Sequence, residues 1–106
     1  FPMGSFTECE DELLTGADKV VVDHVEQTFH RGALKSVVEQ KKFTLSNLHG
    51  TIGEVVCGKK KGRENPDEII VCIPIGTGAM DVTCATVVYE RAKEQGRGVP
   101  FGFNAL

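Results

Sequence analysis

The sequence predicts an α/β fold in which parallel strands form a partial sheet flanked by helices. Three observations lead there. Lys19-Val20-Val21-Val22 and residues 68–73 are short runs dominated by β-branched side chains, the pattern of strands buried on both faces. Each run is followed by a segment with helical spacing of its apolar residues. The order strand, helix, strand, helix implies parallel pairing, because each strand is reached through a helical crossover.

Taken in order, Glu8, Glu10 and Asp11 open an acidic stretch that ends in Leu13-Leu14. It is expected to form a short helix with its carboxylates at the positive end of the dipole, stopped by Gly16. Gly16 and Asp23 bound the first strand. Asp23 is expected to cap the next helix, with Glu26 three residues on completing a capping box, and that helix ends near Gly32. Leu34, Val37 and Val38, at i, i+3 and i+4, predict further helical turns over 33–42. Ile52, Val55 and Val56 repeat the spacing in a helix that begins between Asn47 and Thr51 and ends at Gly58. The run Lys59, Lys60, Lys61 and Arg63 is interleaved with glycine and carries no aromatic residue on which a base could stack, so a solvated loop is expected before Pro66. Gly76-Thr77-Gly78 then turns the second strand into a long helix ending near Gly96. Val82, Ala85, Val88, Tyr89 and Ala92 give it an apolar stripe, with Glu90, Arg91, Lys93 and Glu94 mostly on the other side.

Composition narrows the functional classes. The 106 residues, 41% of them hydrophobic, suffice for one modest core and one domain. A net charge of -3 builds no broad field for nucleic acid or anionic membrane. The longest apolar runs fall far short of the roughly 20 residues that span a bilayer, and no basic and apolar leader opens the chain. A soluble cytoplasmic protein with neither nucleic acid nor membrane as partner is expected. Cys9, Cys57, Cys72 and Cys84 are too widely spaced for a C-x-x-C pair and too few for a disulfide scaffold; reduced, mostly buried thiols are expected. His24, His30 and His49 share no metal-ligand spacing, so no metal is expected.

Two stretches could meet a ligand. Gly76-Thr77-Gly78 lies where a strand ends and a helix begins, a position that attracts anions or a polarised carboxamide. The G-x-G-x-x-G fingerprint fails there because Asp81 stands at the third glycine, so this is not a pyrophosphate loop. A glycine turn with Thr77 as helix cap is the alternative. Met3-Gly4-Ser5-Phe6-Thr7 is the second stretch, whose small residues would let a ligand approach the backbone. A plain loop is the alternative there.

Several segments together carry a family resemblance. They are Gly4-Ser5-Phe6-Thr7 with Glu12-Leu13, the run from Ala17 to Asp23, Gly53-Glu54-Val55-Val56 with Gly58 and Gly62-Arg63, Asp67-Glu68-Ile69-Ile70-Val71, Gly76, Asp81-Val82, and Tyr89-Glu90-Arg91-Ala92. In this order and spacing the chain resembles the carboxy-terminal portion of ornithine cyclodeaminase/mu-crystallin proteins, over nearly its whole length. The resemblance implies that residues 1–106 form the carboxy-terminal part of a Rossmann-like dinucleotide-binding domain, its sheet completed by missing chain or by self-association. It implies a homodimeric enzyme that uses NAD or NADP on a small amino or imino acid, or a crystallin-like or free-standing ligand-binding module without catalysis. Gly4, Ser5, Pro74, Ile75 and Gly76 would face the cofactor, and Phe6, Thr7 and Thr77 the substrate.

The departures from the family pattern are informative. Cyclodeaminases place a catalytic aspartate where this chain has Phe6, which cannot transfer a proton, and many members have a hydroxyl residue at Pro74. The proline common after the glycine-serine turn is also absent. These substitutions favour a reductase- or dehydrogenase-like relative and leave the catalytic residues unassigned. The chain opens on Phe1-Pro2, so either residues precede Phe1 in the natural protein or Phe1 and Pro2 are foreign residues ahead of Met3. The family's pyrophosphate loop, and the lysine and arginine that hold a substrate carboxylate, would lie before Phe1. The chain alone is expected to be inactive.

Overall fold

The computed structural model describes residues 8–102. The chain divides at Gly76 into two compact units, Phe1–Gly76 and Thr77–Leu106. In the first, the elements run α1 (Asp11–Gly16), β1 (Lys19–Val22), α2 (Val25–His30), α3 (Leu34–Glu39), a 3-10 turn (Leu45–Asn47), β2 (Gly50–Thr51), α4 (Ile52–Val56) and β3 (Ile70–Ile73). The strands form a three-stranded sheet in the order β2-β1-β3, and both pairings are parallel. Lys19 pairs with Ile70 and Val22 with Ile73, while Val21 and Val22 pair with Gly50 and Thr51. The chain therefore visits one edge of β1 and then crosses to the other, which brings β3 beside β1 across 50 residues of sequence.

The alternation of a strand assigns its side chains to two faces. Val20 and Val22, with Val71 and Ile73 beside them, join Leu14, Ala33, Leu34, Val37 and Phe43 in the buried core, so α1 and α3 cover this face. Val21, Ile70 and Cys72 lie on the other face, where Ile52 and Val55 of α4 and Lys61 and Arg63 line a groove of about 230 Å³. All four residues of β1 are buried, as expected of a central parallel strand.

Several local expectations change. His24, not Asp23, is the N-cap of α2: its Nδ1 accepts from the Gln27 N–H, because Asp23 is engaged elsewhere. Gly16 is the last residue of α1, not the residue beyond it. No cysteine is fully buried among the described residues; Cys9 and Cys72 are half-buried, and Cys57 and Cys84 are exposed. The two-residue strand β2 carries too little pattern to be seen in sequence.

Helix α3 ends without a glycine. The Lys41 N–H donates to Val38 O and the Lys42 N–H to Val37 O, a Schellman arrangement that places Lys41 at φ 58°. A side chain there carries a steric cost that glycine avoids. Lys41→Gly is expected to stabilise the fold by about 0.5–1 kcal/mol, read as a higher urea midpoint; a lower midpoint would refute the assignment.

The second unit contains α5 (Gly78–Glu94), capped by Gln95 and followed by Gly96 at φ 62°. Its Thr77 N-cap makes no side-chain capping bond, and the helix buries no side chain. Val82, Val88 and Tyr89 of the expected apolar stripe are exposed. Among the described residues no helix is long and apolar enough to cross a membrane.

Candidate functional site

A parallel sheet sends all its strands out at one edge, and in open α/β sheets ligands bind beside that carboxyl edge. The Val22–Ile73 pairing sets Asp23, at the end of β1, beside Pro74, at the end of β3. The Asp23 carboxylate joins the two: Oδ1 accepts from the His24 N–H at 2.8 Å and Oδ2 from the Gly76 N–H at 2.6 Å. Gly76 has φ 96°, a conformation that strains other residues, and among the described residues beyond its chain neighbours none has an atom within 4 Å of where a Cβ would stand. The Pro74-Ile75-Gly76 turn is thus a piece of backbone tethered by Asp23.

Of the residues expected to face a ligand, the first unit brings Pro74, Ile75 and Gly76 together at this edge. Thr77 begins the second unit, and its hydroxyl is not used as a helix cap. Gly4, Ser5, Phe6 and Thr7 lie outside the described residues. Asp23, expected only as a helix cap, also stands at this edge. Its signal in the sequence, an acid directly after an apolar strand, reads equally as a helix cap, and only the pairing of β1 with β3 distinguishes the two.

The opposite edge holds the strongest charge cluster. Lys19 is buried, and its Nζ donates to Gly62 O at 2.7 Å, to Glu64 Oε2 at 2.9 Å and to Glu68 Oε1 at 2.9 Å. The Glu64 N–H donates to Glu68 Oε2, and Arg63 Nη1 to Glu68 O at 2.6 Å. Hydrogen bonds from Lys19 and then Lys61 hold the Glu64 carboxyl at about 2. The Glu64 N–H and then Lys19 lower Glu68, while Glu64 and then Glu68 raise the Lys19 ammonium. The basic loop is therefore not merely solvated: this cluster fastens it to the amino ends of β1 and β3, at the far edge from the Pro74–Gly76 turn. Burial raises the Cys72 thiol above its ordinary range, which disfavours the thiolate needed by a nucleophile.

The model of the ornithine cyclodeaminase/mu-crystallin family matches residues 4–96. The chain belongs to this family. Alanine dehydrogenase of Archaeoglobus fulgidus is 38% identical over 96 residues, which cover 91% of this chain and 30% of the relative. Among solved structures, an archaeal alanine dehydrogenase dimer with bound NAD superposes with a TM-score of 0.75 at 39% identity, over 92% of this chain and 30% of that one. The Thermococcus litoralis Δ(1)-pyrroline-2-carboxylate reductase in complex with NADH and L-proline gives 0.76 at 28% identity, over 89% and 29%. This chain of the ornithine cyclodeaminase/mu-crystallin family thus spans about 30% of the length of the relatives it matches. The resemblance read from the motifs and the parallel α/β class are both borne out.

Proposed function

We propose that this chain is the carboxy-terminal part of the dinucleotide-binding domain of an NAD(P)-dependent amino- or imino-acid oxidoreductase. The longer protein works as a homodimer, and this portion is inactive alone. The observation that carries the reading is the likeness, across nearly the whole chain, to an NAD-bound dehydrogenase at 39% identity. The carboxyl edge of the sheet fits such a cofactor. Gly76 has no side chain and its backbone is held by Asp23, so a planar ring would be able to approach it closely. Pro74, Ile75 and Gly76, with Gly4 and Ser5, would hold the nicotinamide end, and Phe6, Thr7 and Thr77 would face the substrate.

When bound, the dinucleotide would exchange a hydride with the carbon that bears the amino or imino nitrogen. The residues of this chain contribute position and exclusion of water. Phe6 has no proton to transfer, which favours reduction or oxidation over the aspartate-dependent cyclisation of ornithine. The full-length protein is expected to quench or shift NADH fluorescence on binding. It should also consume NADH or NADPH with Δ(1)-pyrroline-2-carboxylate or with pyruvate and ammonia. Absence of dinucleotide binding would refute the reading. Binding without turnover on a panel of keto and imino acids would select the crystallin-like alternative.

A further inference from the structure

We infer that Asp23 is a positioning residue that turns the Ile75–Gly76 peptide so that the Ile75 carbonyl is presented as an acceptor for the nicotinamide carboxamide; this rests on the function proposed above. The argument begins with a pair of aspartates. Strand β1 is bracketed by Asp18 and Asp23, and each carboxylate accepts a backbone N–H from the chain of β3. Asp18 Oδ2 takes the Ile69 N–H at 2.8 Å, just before β3 begins. Asp23 Oδ2 takes the Gly76 N–H at 2.6 Å, just after β3 ends. Both bonds tie the strands in register. Asp23 alone acts at the carboxyl edge.

The turn needs such a restraint. Pro74 has no N–H with which to continue the ladder, and Gly76, at φ 96°, has no side chain to pack. The second oxygen of Asp23 is occupied by the His24 N–H, so the carboxylate is itself held. An ionised acceptor makes a shorter, stronger bond than a neutral one. The consequence follows from peptide geometry. No described peptide bond is cis, and in a planar trans peptide the N–H and C=O point in opposite directions. With the Gly76 N–H aimed at Asp23, the Ile75 C=O is aimed away from it. A primary carboxamide supplies the N–H donor that a carbonyl accepts.

The test compares NADH with its reduced 3-acetylpyridine analogue, which has a methyl ketone in place of the carboxamide and so lacks that donor. Full-length wild type, Asp23→Ala, Asp23→Asn and Asp18→Ala are titrated with both by fluorescence. Wild type is expected to prefer NADH by roughly tenfold. Asp23→Ala should weaken NADH alone, collapsing the preference toward one, and Asp23→Asn, whose amide oxygen can still accept the Gly76 N–H, should restore part of it. Asp18→Ala should lower thermal stability and keep the preference. A merely structural role for Asp23 would leave the preference intact, and an intact preference in Asp23→Ala overturns the inference. So does a wild type that binds NADH and the analogue equally. A wild type that binds neither refutes the proposed function itself, a result distinct from both.

Discussion

Leu34→Ala is expected to destabilise the protein by about 2–5 kcal/mol, the range for truncating a fully buried leucine. Leu34 has no exposed surface and sits on α3 within the cluster that joins Val20 and Val22 of β1 to Val71 and Ile73 of β3. Truncation removes the transfer free energy of the lost methyl groups and leaves a cavity that short elements such as α1 and α3, of six residues each, can only partly refill. Val56, which is 80% exposed on α4, is the natural comparison. Val56→Ala should change stability by no more than about 0.5 kcal/mol. Urea denaturation followed by circular dichroism measures both. A Leu34→Ala effect as small as that of Val56→Ala would mean that the α1/α3 face is not the core.

The second large effect is on acid stability. Glu64 is held at about 2 against an ordinary 4.5, and Glu68 is also lowered, so both bind protons more weakly in the folded chain than in the unfolded one. Their stabilisation is complete above about 4.5 and is lost as pH falls through the lowered values, about 2 for Glu64. Glu54, lowered by its capping bonds from Thr51, loses its contribution in the same direction. Lys19 is raised above 10.5, so its share is intact below that value and disappears as pH rises through the raised one. Lys19→Met should therefore lower the urea midpoint at neutral pH, flatten its decline between about pH 4.5 and 2, and reduce its fall on the alkaline side, where the raised Cys72 thiol still contributes. Some acid dependence should survive through Glu54 and the Glu64–Glu68 backbone bond. Wild-type and Lys19→Met curves that ran parallel from acid to alkaline pH would dissociate the cluster from stability.

Part of this was legible in the residues because it is local. The β-branched run of β1, the i, i+3, i+4 spacing in α3 and α4, and Gly96 at the end of α5 each record a preference set within a few positions. Asp23 and Lys19 show where such reading stops. Asp23 stands where a helix cap is expected, and the chain immediately around it gives no reason to send its carboxylate to Gly76. Lys19 looks like the polar entry to a strand, yet it becomes the buried centre of a cluster with Glu64 and Glu68. For the family motifs the spacing of many short segments was enough, since joint spacing is far more specific than any one of them.

By itself, then, the sequence determined the parallel α/β class, the placing of most helices and the family, because periodicity, turn residues and motif spacing act along the chain. The tertiary structure decided which face of β1 is core, which carboxylate holds the Pro74–Gly76 turn and where the basic loop is anchored. Those outcomes depend on β3 pairing beside β1 across 50 residues of sequence, and a contact of that span leaves no periodic trace in the residues that make it.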